Sequence, residues 1–463
     1  GAYYKISTLS EEERSRGLIT ASAGNHAQGV ALAARVLNCH ATIFMPRSTP
    51  EVKQTEVRRH GGRHVKIMLH GDCYDETAAA AHEYTETHGC TFVHPYDDLV
   101  TMAGQGTLAD EVVMSGEGPF DRAYVAIGGG GLAASVACWL KKFWPRIKVI
   151  GVEGIDQASM KTSIEQGRRV NLDYVDVFCD GTAVHIPGEL TYPLCRELVD
   201  EFVTVTNNEV CQAIRAMWES SRVVPEPSGA MSLAGFLKQW NRGEVKPEEK
   251  SFVVISGANM DFTHLTQIAR QAGIGNHETR YLRISMDSKR GQVLKYLRHI
   301  PQDTTLVDVQ YGKTEGNTQH PVFGIAASDE DLDTIRTTLK KKGIEFEDIS
   351  EDDDVRFRMI HYQPELCQHP LFVHIEFPER AGAFLDFMER IADLASLCYF
   401  NYTYTGERVG RALVGMEFDT AEDRETIRKR MGAFSKNIIR SIREISPEAF
   451  QRIMGSRQLT GNH

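Results

Sequence analysis

Four consecutive glycines, Gly128–Gly131, stand between the apolar run Ala123–Ile127 and a segment of helical texture from Leu132 towards Phe143. Few folds tolerate such a stretch. It marks a turn from a buried strand into a helix, in which four residues without side chains let backbone N–H groups converge on a ligand. The positive end of the helix adds to them, so a phosphate is the natural occupant. Two phosphate readings stand side by side. Gly128, Gly130 and Ala133 fit a dinucleotide GxGxxA, with Glu153 ending the next strand as a ribose-binding acid would. The other occupant is the single terminal phosphate of a smaller cofactor.

The surroundings of the glycines repeat the same strand-then-helix rhythm up to about residue 275. Ala41–Met45, His64–Leu69, Val149–Val152 and Phe252–Ile255 are short apolar runs, and Ala27–Leu37 and Tyr74–His88 have helical spacing. Short buried strands alternating with helices predict α/β architecture, with parallel sheets covered by helices on both faces. Ligands of such sheets bind at the carboxyl ends of the strands. Three further loops qualify. Ser22-Ala23-Gly24-Asn25-His26 opens a helix and suits a carboxylate, with an Asn25 amide able to donate to a ring oxygen. Ser256-Gly257-Ala258-Asn259 ends a strand, and Ser256 can hydrogen-bond a heteroaromatic nitrogen. Glu226-Pro227-Ser228-Gly229-Ala230 is a Pro/Gly loop entering a helix.

Beyond residue 275 the texture changes. Arg280–Met286 and Leu371–Phe377 alternate like half-exposed strands, and an offset of 91 residues aligns them without a gap. Ile284 falls on Ile375, Gly291 on Gly382, Leu294 on Leu385, Tyr311 on Tyr402 and Gly324 on Gly415. Each copy of this repeat reads strand, helix, strand, strand, helix, strand, a ferredoxin-like α+β unit. The acidic Glu351–Asp354 stretch between them reads as a solvated linker. The expected organisation is therefore 1–275, 278–350, a linker at 351–369, and 370–446.

Composition narrows the function. The net charge of −11 argues against a nucleic-acid binder, and no run approaches 18 apolar residues, so no membrane span is expected. Nine scattered cysteines contain no CxxC pair, which excludes a zinc-finger spacing and fits reduced thiols in a reducing compartment; no metal site is expected.

Taken together and in order, the segments at 22–29 (SAGNHAQG), 94–98 (HPYDD), 103–107 (AGQGT), 128–132 (GGGGL), 226–230 (EPSGA) and 256–259 (SGAN) resemble the threonine dehydratases. These are pyridoxal-phosphate enzymes of the tryptophan-synthase-β-like fold. The repeat resembles the paired ACT-like region of their biosynthetic, isoleucine-regulated form, through 377–387 (FPERAGAFLDF) and 400–418 (FNYTYTGERVGRALVGMEF). The resemblance implies conversion of L-threonine, with L-serine secondary, to 2-oxoacid and ammonia as the committed step towards isoleucine. It places Gly128–Gly131 and Leu132 around the cofactor phosphate, Asn25 at the ring hydroxyl and Ser256 at the pyridine nitrogen. A neutral hydroxyl there leaves the ring unprotonated and favours β-elimination over transamination. Ser22, Ala23, Gly24 and His26 would hold the substrate. Ala23 stands where racemases of this fold carry a second serine acid/base, which favours elimination over racemisation. His26 reads as a structural hydrogen-bonder.

Tyr311, Asn401 and Tyr402 fall on the effector pattern. The first copy lacks the asparagine and arginine that usually flank its tyrosine, so isoleucine feedback is expected and valine antagonism is left open. The family suggests a homotetramer in the cytoplasm, or in an organelle matrix or stroma. The family's Schiff-base lysine belongs three residues upstream of Gly1, and the chain reads as entered mid-domain; Lys5 reads as a surface lysine. Two rivals remain: a NAD-dependent oxidoreductase built on GxGxxA, and a non-catalytic amino-acid sensor.

Overall fold

Short apolar runs in the first unit, Gly1–Gly275, form two four-stranded sheets in the computed structural model. The structure describes residues 1–450 apart from 48, 50, 72–73, 261–263, 276–278, 288–291, 299–304, 328, 351, 353–354, 356–359, 361, 379–382, 404–408, 435–437, 440 and 448. The first sheet holds β1 (Leu18–Ala21), β2 (Ala41–Met45), β3 (Val65–Leu69) and β4 (Thr91–Phe92) in the order β3-β2-β1-β4. The second holds β5 (Arg122–Ala126), β6 (Lys148–Gly154), β7 (Glu201–Val205) and β8 (Ser251–Val253) in the order β7-β6-β5-β8. Every pairing in both is parallel.

Strand periodicity explains the double burial, since successive side chains point to opposite faces. Leu18, Ile43 and Met45 pack with Val30 and Ala34 of the helix Asn25–Val36, whereas Ile19, Ala21 and Phe44 pack with Ala81 of the helix Tyr74–His88. In the second sheet Ala123, Val125 and Val149 meet Ala133 and Leu140 of the helix Gly131–Phe143. Tyr124, Ile150 and Val152 meet Ile214 and Met231, from the helices Asn207–Ser221 and Pro227–Asn241. The strand expected to reach Ile255 stops at Val253, so the following loop starts two residues earlier than its apolar texture suggests.

The second unit, Asn276–His463, is built on one antiparallel sheet. Its strands are β9 (Thr279–Ile284), β11 (Thr305–Gly312), β13 (Val322–Ala326), β14 (Phe346–Asp348), β15 (Leu371–Pro378), β16 (Ser396–Thr403), β17 (Val409–Glu417) and β18 (Ser441–Glu444). They lie in the order β14-β9-β13-β11-β16-β17-β15-β18. Each half is a ferredoxin-like arrangement, and the halves join edge to edge through β11 and β16. The single strand expected over Arg280–Met286 is broken: β9 ends at Ile284, and β10 (Met286–Asp287) pairs separately with β12 (Thr318–Gln319).

The seam is self-complementary. Gln310 faces Asn401, its own equivalent in the repeat, and Asp308 and Gly312 face Thr403 and Tyr399. Equivalent glycines do the same work in both copies. A Cβ on Gly324 would come within 2.7 Å of Asp308 and 2.9 Å of Tyr281, while one on Gly415 would meet Phe372 at 2.6 Å and Tyr399 at 2.9 Å. Phe372 and Tyr399 are the repeat partners of Tyr281 and Asp308, so one packing constraint recurs 91 residues on. The Gly291–Gly382 pair, most of the acidic linker and part of the 377–387 and 400–418 segments lie outside the described residues.

Candidate active site

The loops singled out in the sequence gather at the carboxyl ends of the two parallel sheets. Asn25 is the first residue of its helix, and its N-cap is Gly24, extended and without a side chain to satisfy the first N–H groups. Ser22 instead accepts a 3.3 Å hydrogen bond from the Gly24 N–H, tying the loop to itself. The exposed Asn25 side chain reaches across the unit: its Nδ2 donates to Glu226 Oε1 at 2.7 Å. The other oxygen of Glu226 accepts the Asn259 N–H at 3.1 Å, and the Glu226 N–H donates to the Gly257 carbonyl at 3.0 Å. A Cβ on Gly257 would sit 2.4 Å from Glu226 Oε1 and 2.9 Å from Asn25 Nδ2, so a larger residue there would push this carboxylate and amide aside. Ser256 is exposed beside it.

The glycine loop continues this ring of contacts. Gly128 lies against the backbone of Thr182, whose hydroxyl is 3.3 Å from that of Ser228, two residues beyond Glu226. Gly130 has φ +95°, takes the left-handed conformation and is the N-cap of the helix Gly131–Phe143, with no side-chain cap. The sequence assigned these glycines to a ligand. The structure shows that protein atoms demand them too: a Cβ on Gly129 would enter the Tyr96 ring at 2.3 Å, and one on Gly131 would meet the Tyr96 carbonyl at 2.8 Å. Leu132 follows, half-buried at the start of the helix. Uncapped N–H groups on a side-chain-free turn are the cradle a phosphate requires, so the donor set fits such a group.

Other site features escaped the sequence reading. Asp97 accepts the N–H groups of Glu189 and Leu190 at 2.8 Å and of Thr191 at 3.3 Å, holding the turn that packs on Gly130. His94 Nδ1 accepts the N–H groups of Tyr96 and Asp97, which fixes that nitrogen as unprotonated; burial also lowers the His94 pKa. Glu226 carried no assigned role, because its significance rests on partners 201 and 33 residues distant.

Two readings change, at Glu153 and Lys5, and one, at His26, agrees with the structural role read for it. Glu153 is not a ribose ligand: it is buried, and its two oxygens accept the Met160 and Lys161 N–H groups at 2.9 Å each. With that acid turned inward, the dinucleotide reading loses its second support. Lys5 is no free surface lysine, since its ammonium donates to Asp98 at 2.8 Å and its side chain is 16% exposed. Burial would raise the Asp98 carboxyl, but Lys5 and the Thr101 N–H outweigh it and hold its pKa below the ordinary value. His26 faces the Val93 carbonyl at 3.1 Å, and burial pushes its pKa down to about 4, so the ring is neutral. Its side chain is committed to the strand.

In the second unit, Tyr311 lines a small open cleft together with Asp287, Gln292, Lys313, Leu397 and Glu417. Lys313 donates to both Glu417 oxygens at 2.8 Å. Burial raises the Tyr311 pKa, so the phenol is neutral. Asn401 and Tyr402 lie on the seam strand, where Tyr402 faces Val309, and neither lines this cleft. Much of the equivalent surrounding in the second copy, 379–382 and 404–408, lies outside the described residues.

Two parallel sheets with an uncapped glycine cradle at their carboxyl edge define a class, and comparison with known proteins agrees with it. Residues 1–257 match the family of pyridoxal-phosphate-dependent enzymes, and 367–440 match the C-terminal regulatory domain of threonine dehydratase. Biosynthetic L-threonine dehydratase of Haemophilus influenzae is 35% identical over 92% of this chain and 82% of its own length. That of Escherichia coli is 34% identical over 93% and 84%. Among solved structures, the processed form of threonine deaminase isoform 2 from Solanum lycopersicum is 42% identical, with a TM-score of 0.56 over 59% of this chain and 78% of that one. Maize serine racemase is 30% identical, with a TM-score of 0.53 over 60% and 83%. The chain belongs to the threonine dehydratase family of pyridoxal-phosphate enzymes.

Proposed function

We infer that this protein deaminates L-threonine to 2-oxobutanoate and ammonia, takes L-serine as a secondary substrate, and is inhibited by isoleucine. The observation that carries the reading is the Asn25–Glu226–Asn259 bridge, which ties a helix start to the loop after β8 beside the glycine cradle. Pyridoxal phosphate, when bound, supplies the electron sink that lets the Cα–H bond break and the β-hydroxyl leave. Gly128–Gly131 and Leu132 hold its phosphate, Asn25 donates to its ring oxygen, and the Ser256 hydroxyl meets its ring nitrogen. Ser22, Ala23, Gly24 and the His26 backbone receive the substrate carboxylate at the uncapped helix start. Ala23 has no proton to deliver, so nothing at that position returns a proton to the opposite face.

Residues 1–275 are then the catalytic part, and 278–350 and 370–446 the regulatory modules joined through 351–369. Tyr311 in the first module and, separately, Asn401 and Tyr402 in the second are the residues assigned to the effector, an aliphatic amino acid. The assembly is a homotetramer in the cytoplasm or an organelle matrix. The test uses full-length protein with added pyridoxal phosphate and L-serine: pyruvate without D-serine supports elimination, and D-serine as the main product contradicts it. Sedimentation equilibrium tests the tetramer.

A further inference from the structure

Glu226 touches both Asn25 and the Ser256–Asn259 loop. It is 5% exposed, it is at the N-cap of the helix Pro227–Asn241, yet its side chain caps nothing in that helix. Its oxygens are instead spent on Asn25 Nδ2 and the Asn259 N–H. A carboxylate only accepts, so the amide end that faces it must be the nitrogen. One of the two Nδ2 hydrogens is thereby consumed, and the second remains for an acceptor in the cleft. We propose that Glu226 is a positioning residue: it fixes the Asn25 amide nitrogen-first and holds it in register with the Ser256–Asn259 loop. Ring oxygen and ring nitrogen of the cofactor then meet donors set by one carboxylate. This rests on the reading that Asn25 meets the ring oxygen.

The charge state matters to the device. Burial raises the Glu226 pKa; the Asn25 amide pulls it back, Asp180 raises it, and the Asn259 N–H and Lys53 lower it again. Lys53 is itself ion-paired with Asp180. Protonation on the acid side turns one accepting oxygen into a donor and breaks the register with either Asn25 or Asn259.

The test compares full-length holoenzyme carrying Glu226→Gln, Asn25→Ala or both, by the visible absorption of the bound cofactor from pH 5 to 9 and by the kcat and KM of the elimination. In Glu226→Gln one of two donors faces an NH2 group, so kcat falls about tenfold, the loss of one charge-assisted hydrogen bond. KM changes less than twofold, the absorption band shifts, and the acid limb of the pH profile disappears. Because part of the Glu226 effect runs through Asn25, the two losses are less than additive in the double variant. An unchanged band and pH profile in Glu226→Gln would overturn the proposal, as would additive losses in the double variant. An Asn25→Ala band identical to that of the parent would instead sink the assignment of Asn25 to the ring oxygen, and the proposal with it. Far-UV circular dichroism of each variant separates these outcomes from misfolding, and Glu226→Asp, which keeps the charge, restores the acid limb if the charge is what positions the amide.

Discussion

Gly130→Ala separates two costs that the glycine cradle combines. At φ +95° an alanine pays for a left-handed backbone, on the order of 1–2 kcal/mol. Its Cβ would also lie 2.6 Å from Met160 Cε and 2.9 Å from the Thr191 Cβ and hydroxyl, an overpacking that costs about 1–3 kcal/mol. Gly167 is the control, because it has φ +69° with nothing within 4 Å of a Cβ. Gly167→Ala is therefore expected to lose about 1–2 kcal/mol and Gly130→Ala about 2–5 kcal/mol. All four tryptophans, Trp139, Trp144, Trp218 and Trp240, lie before residue 275, so tryptophan fluorescence during urea unfolding reports on that unit alone. Equal losses in the two variants would refute the close packing of Gly130 on Met160 and Thr191. A second readout is the dissociation constant for pyridoxal phosphate, which rises in Gly130→Ala and stays at the parent value in Gly167→Ala.

Other perturbations probe the buried titratable groups and the regulatory unit. Burial pushes the Glu153 pKa up to about 8, so the folded chain keeps a proton that the unfolded chain releases. Stability contributed there is present below the ordinary carboxylate value and is lost as pH rises from about 4.5 to 8; Glu153→Gln flattens that fall in urea midpoints. His26 has the opposite sign: with its pKa at about 4, stability present above pH 6.5 is lost as pH falls towards 4, and His26→Gln removes that acid-side loss. Lys313→Met leaves the 15%-exposed Glu417 without its cation and lowers the thermal stability of the second unit, by about 1–3 kcal/mol, whereas Lys313→Met with Glu417→Leu recovers most of it.

The alternation of short apolar runs was enough to anticipate parallel sheets covered on both faces, because strand period and double burial leave a direct mark on composition. The repeat was equally visible, down to Gly324 and Gly415. Its seam was not, because equivalence of two copies says nothing about which edge they share. The β11–β16 register, with Gln310 opposite Asn401, is a property of three-dimensional pairing. Motif spacing misled at Glu153, where an acid at the ribose-binding distance turned out to cap the backbone of Met160 and Lys161. Glu226 sat in plain view within a quoted motif. Its role depends on Asn25 and Asn259 arriving from distant segments, and a linear reading cannot place three loops around one carboxylate.

The most direct measurement is 2-oxobutanoate and ammonia release from L-threonine by the full-length holoenzyme, repeated with isoleucine. Equimolar 2-oxobutanoate and ammonia, with a rate that isoleucine depresses, is the predicted result. Isoleucine binding without any 2-oxobutanoate from protein that holds pyridoxal phosphate would contradict the lyase and leave an amino-acid sensor in its place.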